Sequence, residues 1–413
     1  MRTVEEQLAV VLAAVQPLEA ETLPIAGAHG RILYDPVRAA VDIPVFDNSA
    51  MDGFAVRFSD VADASDAASV TLTVVADLPA GTSDNPPLRA GEAARIMTGS
   101  PVPTDADAIV PFEHTAGGLA DSLASVTVLT APRGAGAHIR RRGEDAHVGD
   151  EILPQGGHLG ALQLSAAAAA GVASVTCARR PRVVVVSTGS ELVEPGEPLA
   201  HGQIPESNST LLAGLAREAG AEVLLRTSVD DEGDALSALV TSFTADGASE
   251  RADVIIFSGG VSAGAYEVVK NTLAAAMEFT QVAMQPGKPQ GFGVTASGTL
   301  LFGLPGNPVS AAVSFEVFVR PALLALQQRR DQYRPVIRLP ASVAWRTPPG
   351  RRQYLAATID RSDPARWSVA PSSRRGSASH LAGGLGRADA FAIVAAEIDQ
   401  IEAGDLVDVM LIS

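Results

Sequence analysis

The sequence predicts a multidomain α/β plus β protein, with a central parallel α/β domain, β-rich subdomains before it and a small all-β domain after it. Three observations predict this. Between residues 182 and 327, unpatterned apolar strands alternate with helical spacing, as in a buried parallel sheet. Residues 46–130 and 335–413 carry short strand patterns broken by Gly and Pro. The chain has 413 residues, 46% of them hydrophobic, enough for about three separate cores.

The elements follow in order. Val4, Leu8, Val11 and Leu12 share one helical face over residues 3–15, with Thr3 as N-cap and Glu6 three residues later, a capping box. Strands are expected at Val70–Val75 and Ser125–Thr130, and a Gly-rich linker at Arg133–Ala137. The N-terminal third therefore reads as β-rich and irregular, two intertwined subdomains over residues 1–45 with 138–181 and residues 46–137. In the α/β domain, residues 182–328, strands are expected at Val183–Val186, Glu222–Arg226, Asp253–Phe257, and near 279–284 and 299–302. Helices are expected at about 208–219, 232–243 and 265–277, and a long helix opens at Asn307–Pro308, with Asn as N-cap and Pro at the first turn. Residues 329–413 return to strands: Val336–Leu339, Tyr354–Ile359, Phe391–Ala395 and Leu406–Ile412.

Composition excludes several classes. A net charge of −16 opposes non-specific binding of nucleic acid or an anionic membrane. Any anionic ligand then needs a local basic group, a metal ion or backbone N–H groups. The single cysteine, Cys177, allows no internal disulfide and no cysteine-rich zinc site, and its place between strand-like residues reads as structural. The N-terminus has no apolar leader with a cleavage site, and the Ala-rich run Leu164–Val175 is too short to span a bilayer. A cytoplasmic location is expected.

Ligands of open parallel sheets sit outside the carboxyl ends of the strands. Three small-residue loops fall there: Ser187-Thr188-Gly189-Ser190-Glu191, Ser258-Gly259-Gly260-Val261-Ser262-Ala263-Gly264, and Gly303-Leu304-Pro305-Gly306-Asn307-Pro308, the last leading into a helix that carries Ser310. Such loops let backbone approach an anion closely. Lys288 stands between prolines in Pro286-Gly287-Lys288-Pro289, a point charge for an oxyanion. Glu191, Asp230, Asp231 and Glu267 are the acidic candidates; beside a phosphate they call for Mg²⁺, although Asp231 could equally cap the helix that follows. No nucleophilic triad, Walker loop or dinucleotide fingerprint is visible.

Seven segments then resemble one family: FDNSAMDGFAVR (46–57), IMTGSPVP (96–103), RRRGED (140–145), STGSEL (187–192), SGGVSAG (258–264), PGKPQGFG (286–293) and GLPGNPVS (303–310). In this order they resemble the molybdopterin molybdenumtransferases, including the C-terminal part of gephyrin. The resemblance covers nearly the whole chain. It implies an elongated homodimer whose central domain is like molybdopterin adenylyltransferase. It also implies a reaction: adenylylated molybdopterin and molybdate give molybdenum cofactor and AMP, with Mg²⁺. By position, Asp52, Asp145, Glu191, Lys288 and Arg351 match the catalytic set, Asp52 and Asp145 reaching the site from the other protomer. Asp231 and Glu267 match metal ligands, Pro289 the molybdate segment, and a serine near Ser377 or Ser379 a further oxyanion contact.

The chain departs from the family pattern at three places. Gln285 stands where many members have a lysine, Glu267 where many have aspartate, and Glu206-Ser207-Asn208-Ser209 where an aspartate–serine–asparagine–arginine segment is usual. Each missing cation is expected to weaken oxyanion binding by about 1–3 kcal/mol, with Arg179, Arg180 or Arg352 as compensating candidates. The resemblance also implies an alternative of another class, a gephyrin-like scaffold binding a peptide of another protein. A third reading, the upstream adenylyltransferase, needs neither residues 46–57 nor the β tail.

Overall fold

The computed structural model describes residues 1–120, 123–230, 233–245, 247, 250–261, 267–373 and 382–412. Asp231, Ser262, Ser377 and Ser379 lie outside the described residues.

The central element is a six-stranded sheet in the order Glu222–Val229, Arg182–Thr188, Val254–Ser258, Leu300–Leu304, Pro289–Val294, Met277–Gln281. The first four strands run parallel, Pro289–Val294 runs antiparallel to both of its neighbours, and Met277–Gln281 returns to the direction of the first four. The parallel core is as expected, and Pro289–Val294 is a strand that the sequence pattern does not mark. It begins with proline and contains two glycines, a composition depleted in strands. It is possible there because Gly293 packs against the Ala276–Met277 backbone, where a Cβ would lie 2.0 Å from the Ala276 carbonyl oxygen. The helix expected over 265–277 is described only as Val268–Leu273, and strand begins at Met277.

Val183–Val186 are fully buried, as β-branched residues in a strand covered on both faces should be. Helix Asn208–Glu218 buries Leu212, Ala213 and Ala216 at helical spacing. The helix opening at Pro308 runs to Leu326 with a π turn at Phe315–Val319. Among the described residues it alone is long and apolar enough to cross a membrane, and 94% of its most apolar window is buried inside the fold. Helix Val4–Ala13 carries the expected capping box, and its Val4 and Val11 join the same core as Val183, Phe302 and Phe315.

In the N-terminal third, a five-stranded sheet orders Ala108–Pro111, Gly53–Val56, Glu92–Ile96, Val70–Leu78 and Ser125–Val128. Its core contains the Phe54–Phe112 edge-to-face pair. Ala20–Pro24 pairs with Ser174–Ala178, which buries Cys177; burial raises the thiol pKa, in keeping with a packing role. In the C-terminal sheet, Arg352–Asp360, Ala390–Val394, Leu406–Leu411 and Val336–Pro340 are joined by a strand from elsewhere. Met284–Gln285 pairs parallel with Arg352–Gln353. That pairing sets Arg351 beside the segment carrying Lys288.

Candidate active site

The chain order of the parallel strands reverses between Arg182–Thr188 and Val254–Ser258, and ligands of open sheets bind at such a point. A cleft of about 870 Å³ opens there. It is lined by Ser187, Thr188, Gly189 and Glu191 from the first loop, Ser258, Gly259 and Gly260 from the second, and Pro305, Gly306, Asn307 and Ser310 from the third. Glu206, Asn208, Glu267, Gln285, Lys288, Pro289 and Arg351 complete the wall. The loops need small residues for a steric reason. Gly259 has φ +97°, and a Cβ there would meet the Thr188 carbonyl oxygen at 2.7 Å. Gly303 does not line the cleft. It lies inside the Leu300–Leu304 strand, where a Cβ would press on Val261 at 2.9 Å, so its role is packing.

Two anchors hold the loops together, and sequence reasoning assigned neither a role. Buried Asn208 donates from Nδ2 to Ser258 Oγ (2.9 Å) and to the Gly306 carbonyl (2.5 Å), tying a helix start to two loops. Buried Glu206 accepts from Ser187 Oγ (2.7 Å), the Ser209 N–H (2.8 Å) and Ser209 Oγ (2.5 Å). The available signal was the polar segment Glu206-Ser207-Asn208-Ser209 standing before an apolar helix.

Lys288 is held from behind. Buried Gln290 donates to the Gly287 carbonyl (2.6 Å) and to Ser314 Oγ (2.7 Å), and Val282 N–H donates to the Lys288 carbonyl (2.8 Å). The turn before Arg351 is fixed by Gln353, which donates to the carbonyls of Pro348 (2.8 Å) and Arg351 (3.0 Å). Among the described residues the lining thus presents two cations, Lys288 and Arg351, with three carboxylates, Glu191, Glu206 and Glu267.

The expected compensating cations are elsewhere. Arg179 makes a two-point pair with Asp253 (2.7 and 2.9 Å) at the amino end of the sheet, away from the cleft, and Arg180 is its exposed neighbour. Arg352 pairs with Glu5 of the N-terminal helix. The physical reason is strand polarity: residues just before a strand lie at its other end from the ligand loops. The cation beside Ser209 is Arg226, from the edge strand, 2.6 Å from Thr210 Oγ1 and 3.4 Å from Ser209 Oγ, and also paired with Glu194 at 3.0 Å.

Asp52 and Asp145 do not line this cleft. They belong to a second patch, where three N-terminal motifs fold together. Asn48 pairs with Arg140, Arg141 bridges to Asp47 at 2.6 Å, and Val102 N–H donates to the Asp47 carbonyl (3.0 Å). Asp52 accepts from both the N–H and the hydroxyl of Thr98, each at 2.7 Å, and these two bonds, the backbone one first, hold its pKa below the ordinary 3.8. A pKa depressed in the folded state stabilises the fold above the unfolded value, and that contribution is lost as pH falls through the folded one. Thr98→Val is expected to move the Asp52 pKa part of the way back up, read from the carboxyl carbon shift in an NMR titration. An unmoved pKa would show that the hydroxyl bond is not formed in solution.

Residues 2–171 match the family model "MoeA N-terminal region (domain I and II)", 184–325 "Probable molybdopterin binding domain", and 338–412 "MoeA C-terminal region (domain IV)". The chain is 46% identical over 368 residues to molybdopterin molybdenumtransferase 2 of Mycobacterium tuberculosis, covering 87% of this chain and 88% of the relative. It is 35% identical to molybdopterin molybdenumtransferase 1 of the same organism, covering 100% and 99%. A solved molybdopterin biosynthesis MoeA protein from Pyrococcus horikoshii superposes with a TM-score of 0.83 at 24% identity, over 100% of each chain.

Proposed function

The chain belongs to the molybdopterin molybdenumtransferase family, transferases that insert molybdenum into molybdopterin, and on that premise we propose that the cleft takes adenylylated molybdopterin and molybdate and yields molybdenum cofactor and AMP. The observation that carries this reading is the convergence of three small-residue loops, Lys288 and Arg351 on one cleft at the strand-order reversal. Backbone N–H groups and two cations suit the oxyanions of both substrates. The dithiolene sulfurs arrive with the pterin, so a chain whose one cysteine is buried in a core of the N-terminal third, outside the cleft lining, fits the chemistry.

Among the described lining residues three carboxylates stand with two cations, a balance that favours anions more once a divalent ion is bound. Among the described residues, no three His, Cys, Asp or Glu side chains gather to hold an ion unaided. Mg²⁺ is commonly held by one or two carboxylates together with substrate phosphate. Glu191 and Glu267 fit that pattern, with Asp231 as the further ligand the family resemblance implies. When bound, Mg²⁺ would neutralise the phosphate oxygens as the phosphoanhydride cleaves. Lys288 and Arg351 hold the molybdate oxygens, and Glu206 and Asn208 keep the loops in register around the pterin.

The working unit in this reading is a homodimer, in which Asp52 and Asp145 from a second copy of the chain reach the cleft. The test measures molybdate-dependent AMP release with and without Mg²⁺, in the wild type and in an equal mixture of Asp52→Ala and Lys288→Ala chains. Release should require both molybdate and Mg²⁺. After subunit exchange the mixture should regain about a quarter of wild-type activity, since half the dimers then carry one intact site of two. No molybdate dependence would overturn the reaction, and no recovery in a mixture proven to exchange would overturn the shared site.

A further inference from the structure

The apolar helix Pro308–Leu326 carries charge where a core helix should not. Glu316, 4% exposed, sits in its π turn, and Arg320, 8% exposed, lies one turn later. The Glu316 carboxylate is already taken, because Arg334 donates to it from Nε (2.8 Å) and Nη2 (3.0 Å). Arg320 Nε stands 3.8 Å from the same carboxylate, beyond hydrogen-bond reach. Arg320 Nη1 is buried with no acceptor, and so is Arg329 Nε in the loop after the helix. Leaving a buried charged donor unpaired costs more than leaving a neutral one so.

The charges do not balance either. Among the described residues of the cluster, Glu316 and Arg334 cancel, which leaves the buried Arg320 and half-buried Arg329 against one exposed carboxylate, Glu218. Burial first, then the neighbouring Arg334 and Arg329, push Arg320 down to about 10, against the pull of Glu316 and of exposed Glu218. Burial and then Arg329 also lower the pKa of nearby His158. What the cluster lacks is an acceptor with negative charge and more than one oxygen.

We propose that Arg320 and Arg329, backed by the Arg334–Glu316 pair, form a binding site for a small tetrahedral oxyanion of the phosphate or sulfate class, separate from the cleft. Such an ion accepts from Arg320 Nη1 and Arg329 Nε together and offsets the surplus charge. Ser310, on the cleft, is ten residues away on the same helix, about 15 Å along its axis. The occupied site would clamp the end of the core helix to the loop 328–334, which in turn bonds the N-terminal third through Arg330 N–H and the Gly156 carbonyl (3.3 Å).

The probe is sulfate, titrated against chloride at constant ionic strength, with the unfolding temperature as readout. Sulfate stabilises proteins in general, so the measured quantity is the difference between wild type and variants. Wild type and Lys288→Ala should both gain about 2–4 °C beyond Arg320→Met and Arg329→Gln. If Arg320→Met does not fold, the partly exposed Arg329→Gln carries the comparison. An equal gain in wild type and Arg329→Gln overturns the proposal. A gain lost in Lys288→Ala instead assigns the ion to the cleft and overturns it as well.

Discussion

Replacing Lys288 by alanine should slow molybdate-dependent formation of molybdenum cofactor by about 10²–10³-fold, the effect of removing one preorganised donor from a charged site. The loss should be electrostatic alone. The backbone of Pro286-Gly287-Lys288-Pro289 is held by Gln290, Ser314 and Val282, none of which depends on the lysine side chain. Arg351 is then the only cation left among the described lining residues, facing three carboxylates. Lys288→Arg should recover part of the rate, because it restores charge with a different donor geometry. Steady-state kinetics with varied molybdate, beside an unfolding curve to show intact structure, makes the measurement. A variant within threefold of wild type would remove Lys288 from the reaction. A raised KM at unchanged kcat would limit it to binding molybdate.

Phe302→Ala should destabilise the fold by about 3–5 kcal/mol. Phe302 is 1% exposed and packs on Phe292 with ring centroids 5.1 Å apart. The two rings join the strand Leu300–Leu304 to the antiparallel strand Pro289–Val294, under the loop Pro305–Asn307. Alanine leaves a cavity at that seam, and neighbours such as Leu304, Phe315 and Val183 in the same core are fixed by their own packing. Urea unfolding, followed at constant m-value, checks the number. A cost below about 1 kcal/mol would mean that the seam closes up and that Pro289–Val294 is not rigidly joined to the parallel strands. If the seam does loosen, the loop 305–307 should lose its position against Asn208, and activity should fall more than at an equally buried site such as Leu72.

The sequence by itself determined the elements that depend on local chemistry. The capping box at Thr3 and Glu6, the valine run of the first central strand, the Asn307–Pro308 helix start and the small-residue loops are each set by a few neighbouring residues. The loops and Lys288 were legible as a site because strand polarity fixes which turns lie at the ligand end. Tertiary structure decided what depends on pairing at long range. The strand Pro289–Val294 forms because neighbouring strands accept its glycines, a condition absent from its own composition. Arg351 reaches the cleft because Met284–Gln285 leaves the central segment to pair with Arg352–Gln353. Arg179, Arg180 and Arg352 looked equivalent to it as cations, and only their places in the sheets separate them. Glu206 and Asn208 became anchors once their three loops met. A side chain's chemistry is written in the sequence, whereas its partner is chosen by chain segments that meet only when the cores have packed.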